Sequence, residues 1–336
     1  MADVSLPGGA HIFKWPKRVF ALLTLVMLGA ALVTVLILIF DRPIPPNKLK
    51  SVEDSFTKVD FSTLPEKSSF AARDGTALFS RHYPGATSNT IILIHGSSGT
   101  SASMHVLART LQDRGANVYA LSMRGHDGSG RSGDVDYVGQ LEDDLADFIA
   151  TLPAKQPGER RSLLGFSSGA GFVLRFAGTT YAKRLDHFIL VAPILPRNAP
   201  TNRPHTKVGW TNAAVPRIML LSVLSGFGIH QFEGLPVLAF AVPPELRKTQ
   251  TTFYSFRMWK NFGSGADYAR ALGSAPGRIS LVVGEKDEFV IPAEFGPLLK
   301  PIRPDLGIRV IPQMGHTDLT LDPKALQEVA RIALDR

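Results

Sequence analysis

The pattern of apolar and polar residues separates an N-terminal apolar segment from a longer region of alternating strand-like and helix-like character. Residues 19–40, VFALLTLVMLGAALVTVLILIF, carry no charge. A helix of that length measures about 33 Å, which is enough to cross a hydrocarbon core of ~30 Å. Cleaved signal peptides usually have only ~7–15 apolar residues, and no small-x-small cleavage site follows. We therefore expect a basic tail at 1–18, a transmembrane signal anchor at 19–40 and a linker at 41–67, whose proline-rich first part, 41–50, is expected to be a stiff tether.

The basic residues around this segment are balanced, and they indicate its orientation only through their spacing. Three lie on each side: Lys14, Lys17 and Arg18 before it, and Arg42, Lys48 and Lys50 after it. Lys17 and Arg18 adjoin the apolar run, which favours a cytoplasmic N-terminus. The sequence therefore predicts a single-pass membrane protein whose large domain, residues 68–336, is extracytoplasmic.

Beyond the linker, strand-like runs alternate with helix-spaced apolar segments. Asp74-Gly75 separates two short β-like runs, which is typical of a hairpin. Four consecutive aliphatic residues, Ile91 to Ile94, indicate a strand that is buried on both faces. The alternation predicts an α/β fold with a mostly parallel sheet and helices on both faces. Catalytic residues are expected where the strands of such a sheet end.

The alternation stops at about residues 194–278 and then resumes. This stretch contains many prolines and an apolar middle at 218–242. It also holds ten Lys and Arg residues against three acidic ones, so it carries most of the chain's net charge of +8. We interpret it as a cap or lid inserted over the strand ends. A basic, apolar cap suits an anionic lipid surface better than a nucleic acid, and a merely solubilising role for the basic residues is the alternative.

The segment Gly165-Phe166-Ser167-Ser168-Gly169 joins a strand-like run to a helix-like run. Such a corner is tight, and it projects the central Ser167 hydroxyl out of the sheet. A nucleophilic serine needs a base and an acid that orients the base. Asp287 and His316 each follow a later strand-like run, in the chain order Ser, Asp, His.

The chain from about residue 68 to the end resembles the α/β-hydrolase superfamily, and within it the lysophospholipase and monoacylglycerol-lipase-like serine hydrolases. The motifs that carry this resemblance are His95-Gly96, Arg124-Gly125-His126-Asp127-Gly128-Ser129, Gly165-Phe166-Ser167-Ser168-Gly169, Gly284-Glu285-Lys286-Asp287 and Gly315-His316. The resemblance implies Ser167 as nucleophile, Asp287 as acid and His316 as base. It also implies that the backbone N–H groups of Ser97 and Ser168 form the oxyanion hole.

Other residues near these motifs have alternative roles. Glu285 and Asp318 are rival carboxylates for the acid, whereas His95 and His126 are expected to brace loops rather than react. Gly128 to Gly133 matches GxGxxG, but no helix opens within it, so we interpret it as a loop. Neither a metal-ligand spacing nor a phosphate-binding loop is present, so no cofactor or metal is implied.

These observations favour a membrane-anchored serine hydrolase of carboxylic, lipid-like esters. An amidase, a peptidase or an acyltransferase on the same fold is the first alternative. A membrane-tethered binding protein without turnover is the second, although a binding protein has no physical need for serine, aspartate and histidine together. The sequence leaves the acyl length, the head group and the oligomeric state open.

Overall fold

The computed structural model describes residues 17–47, 56, 58–204 and 209–335, so most of the predicted basic tail lies outside the described residues. The chain divides into two compact units, residues 1–42 and 43–336. The first unit contains helix α1 (Lys17–Phe40), whose side chains are exposed almost throughout. Among the described residues, α1 is the one helix long and apolar enough to cross a membrane, and a signal sequence would pass the same test.

The second unit is built on a sheet of eight strands, which confirms the predicted α/β class. The order is β1-β2-β4-β3-β5-β6-β10-β11; β1 and β2 run antiparallel to their neighbours, and the others are parallel. The strands are β1 (Lys67–Ala71), β2 (Ala77–Tyr83), β3 (Asn89–Ile94), β4 (Asn117–Ser122), β5 (Arg160–Phe166), β6 (His187–Val191), β10 (Arg278–Gly284) and β11 (Gly307–Ile311). The predicted hairpin is the β1–β2 pair, with Gly75 at φ 80° in its turn.

Apolar cores lie on both faces of this sheet. On β3, Ile92 and Ile94 belong to one core, and Ile91 and Leu93 to the other. Successive side chains of a strand point to opposite faces, so a continuous aliphatic run supplies both cores at once. Each such side chain contributes roughly 1.5–3 kcal/mol when fully buried.

The helices of this unit cover the two cores, as the alternating pattern predicts. Helices α3 and α4 supply buried residues to one core, and α2 and α10 supply them to the other. The helices outside the cap are α2 (His105–Gln112), α3 (Gln140–Thr151), α4 (Ser168–Ala177), α8 (Phe295–Leu299), α9 (Asp318–Leu321) and α10 (Pro323–Leu334). The segment Gly128–Gly133 forms turns rather than a helix, as expected.

The predicted cap lies between β6 and β10 and has its own small sheet. Its strands are antiparallel in the order β7 (Thr211–Ala213), β8 (Pro236–Phe240), β9 (Phe253–Ser255). Its helices are α5 (Val215–Gly226), α6 (Phe256–Asn261) and α7 (Tyr268–Ser274). The continuous apolar run at 218–242 therefore comprises most of helix α5, a loop and strand β8. Its sequence pattern alone did not separate these elements.

Within the second unit, the residues before β1 make defined contacts with the rest of the fold. The Ile44 N–H donates to Asn212 Oδ1 of the cap at 3.0 Å. The Phe61 ring lies 6.0 Å from the His105 ring, and Thr63 Oγ1 lies 3.4 Å from His105 Nε2. Among the described residues of 41–67, these positions form a strap that packs on the domain.

Candidate active site

Ser167 stands at the sharp corner between β5 and α4. Its φ of 58° and ψ of −121° lie in a region that non-glycine residues rarely adopt. The Ser167 N–H donates to Val191 O at 2.9 Å, which holds the corner against β6. A side chain at Gly165 would lie 2.3 Å from Gly169 O, and one at Gly169 would lie 2.2 Å from His95 O. Both flanking glycines are therefore required by close backbone approach.

The three residues predicted for the triad lie in one hydrogen-bonded chain. His316 Nε2 lies 2.9 Å from Ser167 Oγ, and His316 Nδ1 lies 2.8 Å from Asp287 Oδ2. Asp287 follows β10, and His316 follows β11, so parallel neighbouring strands deliver both residues to the same edge of the sheet. In this arrangement the histidine can take a proton from the serine hydroxyl while the carboxylate fixes its orientation.

Asp287 is fully buried, and all of its carboxylate contacts favour one orientation. Its Oδ1 accepts the N–H groups of Phe289 at 2.8 Å and Val290 at 3.1 Å, which leaves Oδ2 for the histidine. The Arg203 side chain of the cap donates through Nε to the Asp287 backbone carbonyl at 2.9 Å. Asp287 is therefore held by its own loop and by the beginning of the cap.

The rival carboxylates bind backbone rather than the histidine ring. Glu285 accepts the Gln313 N–H at 2.9 Å, and Asp318 accepts the Gly315 N–H at 2.7 Å. Sequence reasoning missed Glu288, whose Oε2 accepts the His316 N–H at 3.0 Å. Its position directly after Asp287 was the available signal, because the loop that carries the acid must also meet the loop that carries the base.

The Ser97 and Ser168 residues, expected at the oxyanion hole, face each other beside Ser167. Their hydroxyl groups form a short hydrogen bond. Within the described residues, neither backbone N–H donates to another protein group, and Ser168 begins α4. The partial positive charge of a helix N-terminus favours a developing oxyanion at this point.

His95 and His126 are buried and structural, as expected. His95 Nε2 accepts the Met123 N–H at 3.2 Å, and His126 Nδ1 lies 3.1 Å from the Arg124 carbonyl. Burial lowers the pKa of His95 to about 4. Burial, and then the adjacent His95, lower the pKa of His126 well below its ordinary value. Both rings are therefore neutral at pH 7, and their hydrogen bonds fix the loops after β3 and β4.

A cavity of about 1880 Å³ includes Ser167 and His316 in its wall. It exceeds the ~300–1,000 Å³ that is typical of sites for small molecules. The strap and the cap supply apolar side chains to its wall: Phe56, Phe61 and Leu64 from the strap, and Val215, Ile218, Met219 and Leu238 from the cap.

The fold and this site define the class of protein. The sequence model of the Hydrolase_4 family, described as serine aminopeptidase, S33, matches residues 85–320, and the chain belongs to this family. No curated protein sequence matches the chain. The chain is therefore an α/β-hydrolase of a serine hydrolase family.

Solved structures share this fold at low sequence identity. A soluble variant of monoglyceride lipase from Saccharomyces cerevisiae is 17% identical with a TM-score of 0.64, over 82% of this chain and 96% of that one. Monoacylglycerol lipase from Paleococcus ferrophilus is 18% identical with a TM-score of 0.57, over 76% and 96%. An N-formylmaleamic acid deformylase from Pseudomonas putida S16 is 20% identical with a TM-score of 0.55, over 79% and 99%.

Proposed function

We propose that this protein is a membrane-anchored lipase-like hydrolase that cleaves carboxylic esters with an extended apolar acyl group. The observation that carries the proposal is the Ser167–His316–Asp287 chain in the wall of a large, mostly apolar cavity. Similarity to two monoacylglycerol lipases supports the same substrate class. Helix α1 would keep the enzyme at the bilayer, where such esters reside.

The proposed reaction proceeds in two halves through an acyl-enzyme. Ser167 Oγ attacks the ester carbonyl while His316 Nε2 takes the hydroxyl proton, and Asp287 stabilises the resulting imidazolium. The N–H groups of Ser97 and Ser168 bind the oxyanion of the tetrahedral intermediate. The C–O bond then breaks, and His316 gives its proton to the departing alcohol. Water repeats the sequence on the acyl-enzyme, which releases the acid and restores Ser167.

The cap supports selection by acyl length. Ile218 and Met219 of α5 line the cavity, whereas Leu221 is buried within the cap. Apolar contact is worth ~0.8 kcal/mol for each buried CH₂, so each added carbon that reaches this wall raises kcat/KM about fourfold.

Hydrolysis of aminoacyl amides is the second candidate, because the family is described as serine aminopeptidase. A peptidase of that kind needs a carboxylate for the substrate ammonium group. Of the four carboxylates in the cavity wall, Glu245 lies at an exposed position of the cap, and the other three are paired with basic residues: Asp127 with Lys67, Glu142 with Arg175, and Asp267 with Arg270. This pairing favours esters over aminoacyl substrates.

A labelling and turnover experiment distinguishes these candidates. We expect a fluorophosphonate probe to label the protein at Ser167, and kcat/KM for p-nitrophenyl esters to rise with acyl length. Ser167→Ala should abolish labelling and reduce turnover roughly 10⁴–10⁶-fold with the fold intact. Faster cleavage of aminoacyl anilides than of any ester would favour the peptidase, and an adduct on Ser97 or Ser168 would contradict the nucleophile.

A further inference from the structure

We propose that Tyr254, on cap strand β9, is a positioning residue that holds the oxyanion loop, defined as His95–Thr100, in its working conformation. The proposal rests on the function above, in which the Ser97 N–H binds the oxyanion. It adds a second role to the cap, because the cap would then organise the catalytic centre as well as enclose the substrate. Neither the catalytic motifs nor the family resemblance pointed to this residue.

The oxyanion loop contains a turn whose central peptide needs external support. The Gly99 N–H donates to Gly96 O at 3.0 Å, which closes a four-residue turn around Ser97 and Ser98. Ser98 has φ 62°, as the third position of a type II turn requires, and this is unfavourable for a residue other than glycine. A residue keeps such a conformation only where its surroundings determine it.

The surroundings that determine it come from the cap. The Ser98 N–H donates to Tyr254 Oη at 2.9 Å, and the Ser98 hydroxyl donates to the Thr251 carbonyl. Thr251 Oγ1 in turn donates to Gly125 O at 2.7 Å, in the loop after β4. The peptide between Ser97 and Ser98 is thus fixed, and it directly adjoins the peptide that carries the Ser97 N–H.

The protons of this network can be assigned because an amide N–H only donates. Tyr254 Oη accepts from Ser98, so its own proton is available to His126 Nε2, 2.6 Å away. His126 Nδ1 then carries the remaining ring proton and donates to the Arg124 carbonyl. Tyr254 and His126 are both almost fully buried, so water does not compete for these bonds. The phenol therefore bridges two buried partners at once.

This bridge couples the cap to the oxyanion hole. Any movement that separates Tyr254 from Ser98 leaves a buried N–H without its acceptor and frees the turn to reorient. The hole is then complete only while residues 251–254 sit against the loop. Cap movements that admit substrate must leave these residues in place or else interrupt catalysis.

Tyr254→Phe tests the proposal, because it removes the bridge while the ring keeps its edge contact with Phe240, with centroids 4.6 Å apart. We expect kcat to fall about tenfold to a hundredfold with KM within about twofold, less than the loss on deleting an oxyanion donor outright. Affinity for a boronic acid inhibitor, which places an oxyanion in the hole, should fall in parallel. Tyr83→Phe is the matched control, because Tyr83 is also buried and binds a histidine, His105 Nδ1, at 3.0 Å.

The outcomes separate this inference from the proposed function. An active wild type with an unchanged kcat in Tyr254→Phe overturns the inference, as does a rise in KM alone. A wild type that turns over no ester contradicts the proposed function, and the inference with it. If Tyr254→Phe does not fold, amide hydrogen exchange of the wild type decides: strong protection of the Ser98 N–H, which donates to Tyr254 Oη, supports the bridge, and exchange as fast as that of an exposed loop amide overturns it.

Discussion

Four carboxylates contact the loop that carries His316, and their hydrogen-bond partners distinguish the roles that the sequence left open. Asp287 binds the imidazole, whereas Glu285, Glu288 and Asp318 bind backbone N–H groups of the same loop. Only a carboxylate on Nδ1 fixes the tautomer that leaves Nε2 free to accept the serine proton.

Asp287→Asn should therefore reduce kcat by roughly 10⁴-fold while the protein stays folded, because the amide stabilises the wrong tautomer of His316. Asp318→Asn is the matched control: its side-chain oxygen can still accept the Gly315 N–H, so turnover should stay within about tenfold. The measurements are steady-state ester hydrolysis and thermal unfolding of both variants. The reverse ranking would show that Asp318 is the acid.

Buried neutral histidines also make the stability of the fold depend on pH. Burial lowers the pKa values of His95 and His187 to about 4, against about 6.5 in the unfolded chain. Between these values only the unfolded state takes up the proton. The stabilisation of the folded state by each neutral histidine is therefore present in full above about pH 6.5, and it is lost as the pH falls from there through about 4. Each histidine accounts for on the order of 3 kcal/mol.

Chemical denaturation at pH 7.5 and pH 4.5 checks this dependence. We expect a clearly lower free energy of unfolding at pH 4.5. His187→Gln should make this fall in the free energy of unfolding smaller, since it removes one of the two titrating histidines. Ser280 Oγ, the partner of His187, keeps a polar neighbour in the variant. Equal losses in the variant and the wild type would contradict the role of His187.

Sequence patterns were sufficient for residues whose partners are defined by strand ends, and insufficient for those defined by the cap. The positions of Ser167, Asp287 and His316 follow from the parallel strands β5, β10 and β11, which end at one edge of the sheet. Tyr254 meets Ser98 across 156 residues of chain. No local periodicity encodes that contact, because it depends on how the cap packs on the loop.

At the level of elements, the strap was the least predictable part. The proline-rich residues 41–50 indicate a stiff tether, but nothing in the linker pattern indicated that Phe56, Phe61 and Leu64, further along it, line the cavity beside Ser167. Helix α5 was equally hard to predict. Apolar residues lie on every side of this helix, so the sequence pattern does not indicate which side is buried. Met219 and Val223 are exposed in this helix, and Leu221 is buried.

The strap leads to a prediction about truncation. A chain that begins at residue 43 should keep the wild-type dependence of kcat/KM on acyl length. A chain that begins at residue 67 loses the strap and should turn over long-chain esters about tenfold less well, with short esters little affected, because apolar wall area is removed. The double variant Phe61→Ala, Leu64→Ala in the longer chain controls for loss of stability. Identical acyl-length profiles in all three proteins would show that the strap does not contact substrate.

At the level of the whole molecule, the proposed membrane anchor would decide which compartment supplies the substrate. Helix α1 spans 24 residues, about 36 Å in length, which exceeds a hydrocarbon core of ~30 Å. The flanking basic residues are equal in number, so the proposed orientation depends on Lys17 and Arg18, which lie directly at its N-terminal end.

We therefore expect an alkaline phosphatase reporter fused after residue 336 to be active, since this reporter works only outside the cytoplasm, and a fluorescent protein fused there to stay dark. Because orientation depends on a small difference in basic residues close to the span, Lys17→Gln with Arg18→Gln should move part of the population to the opposite orientation. Arg42→Gln, on the other flank, should not, which makes it the matched control. An inactive phosphatase fusion together with a bright fluorescent fusion of the wild type would instead place the catalytic domain in the cytoplasm. There it would act on lipids of the inner leaflet.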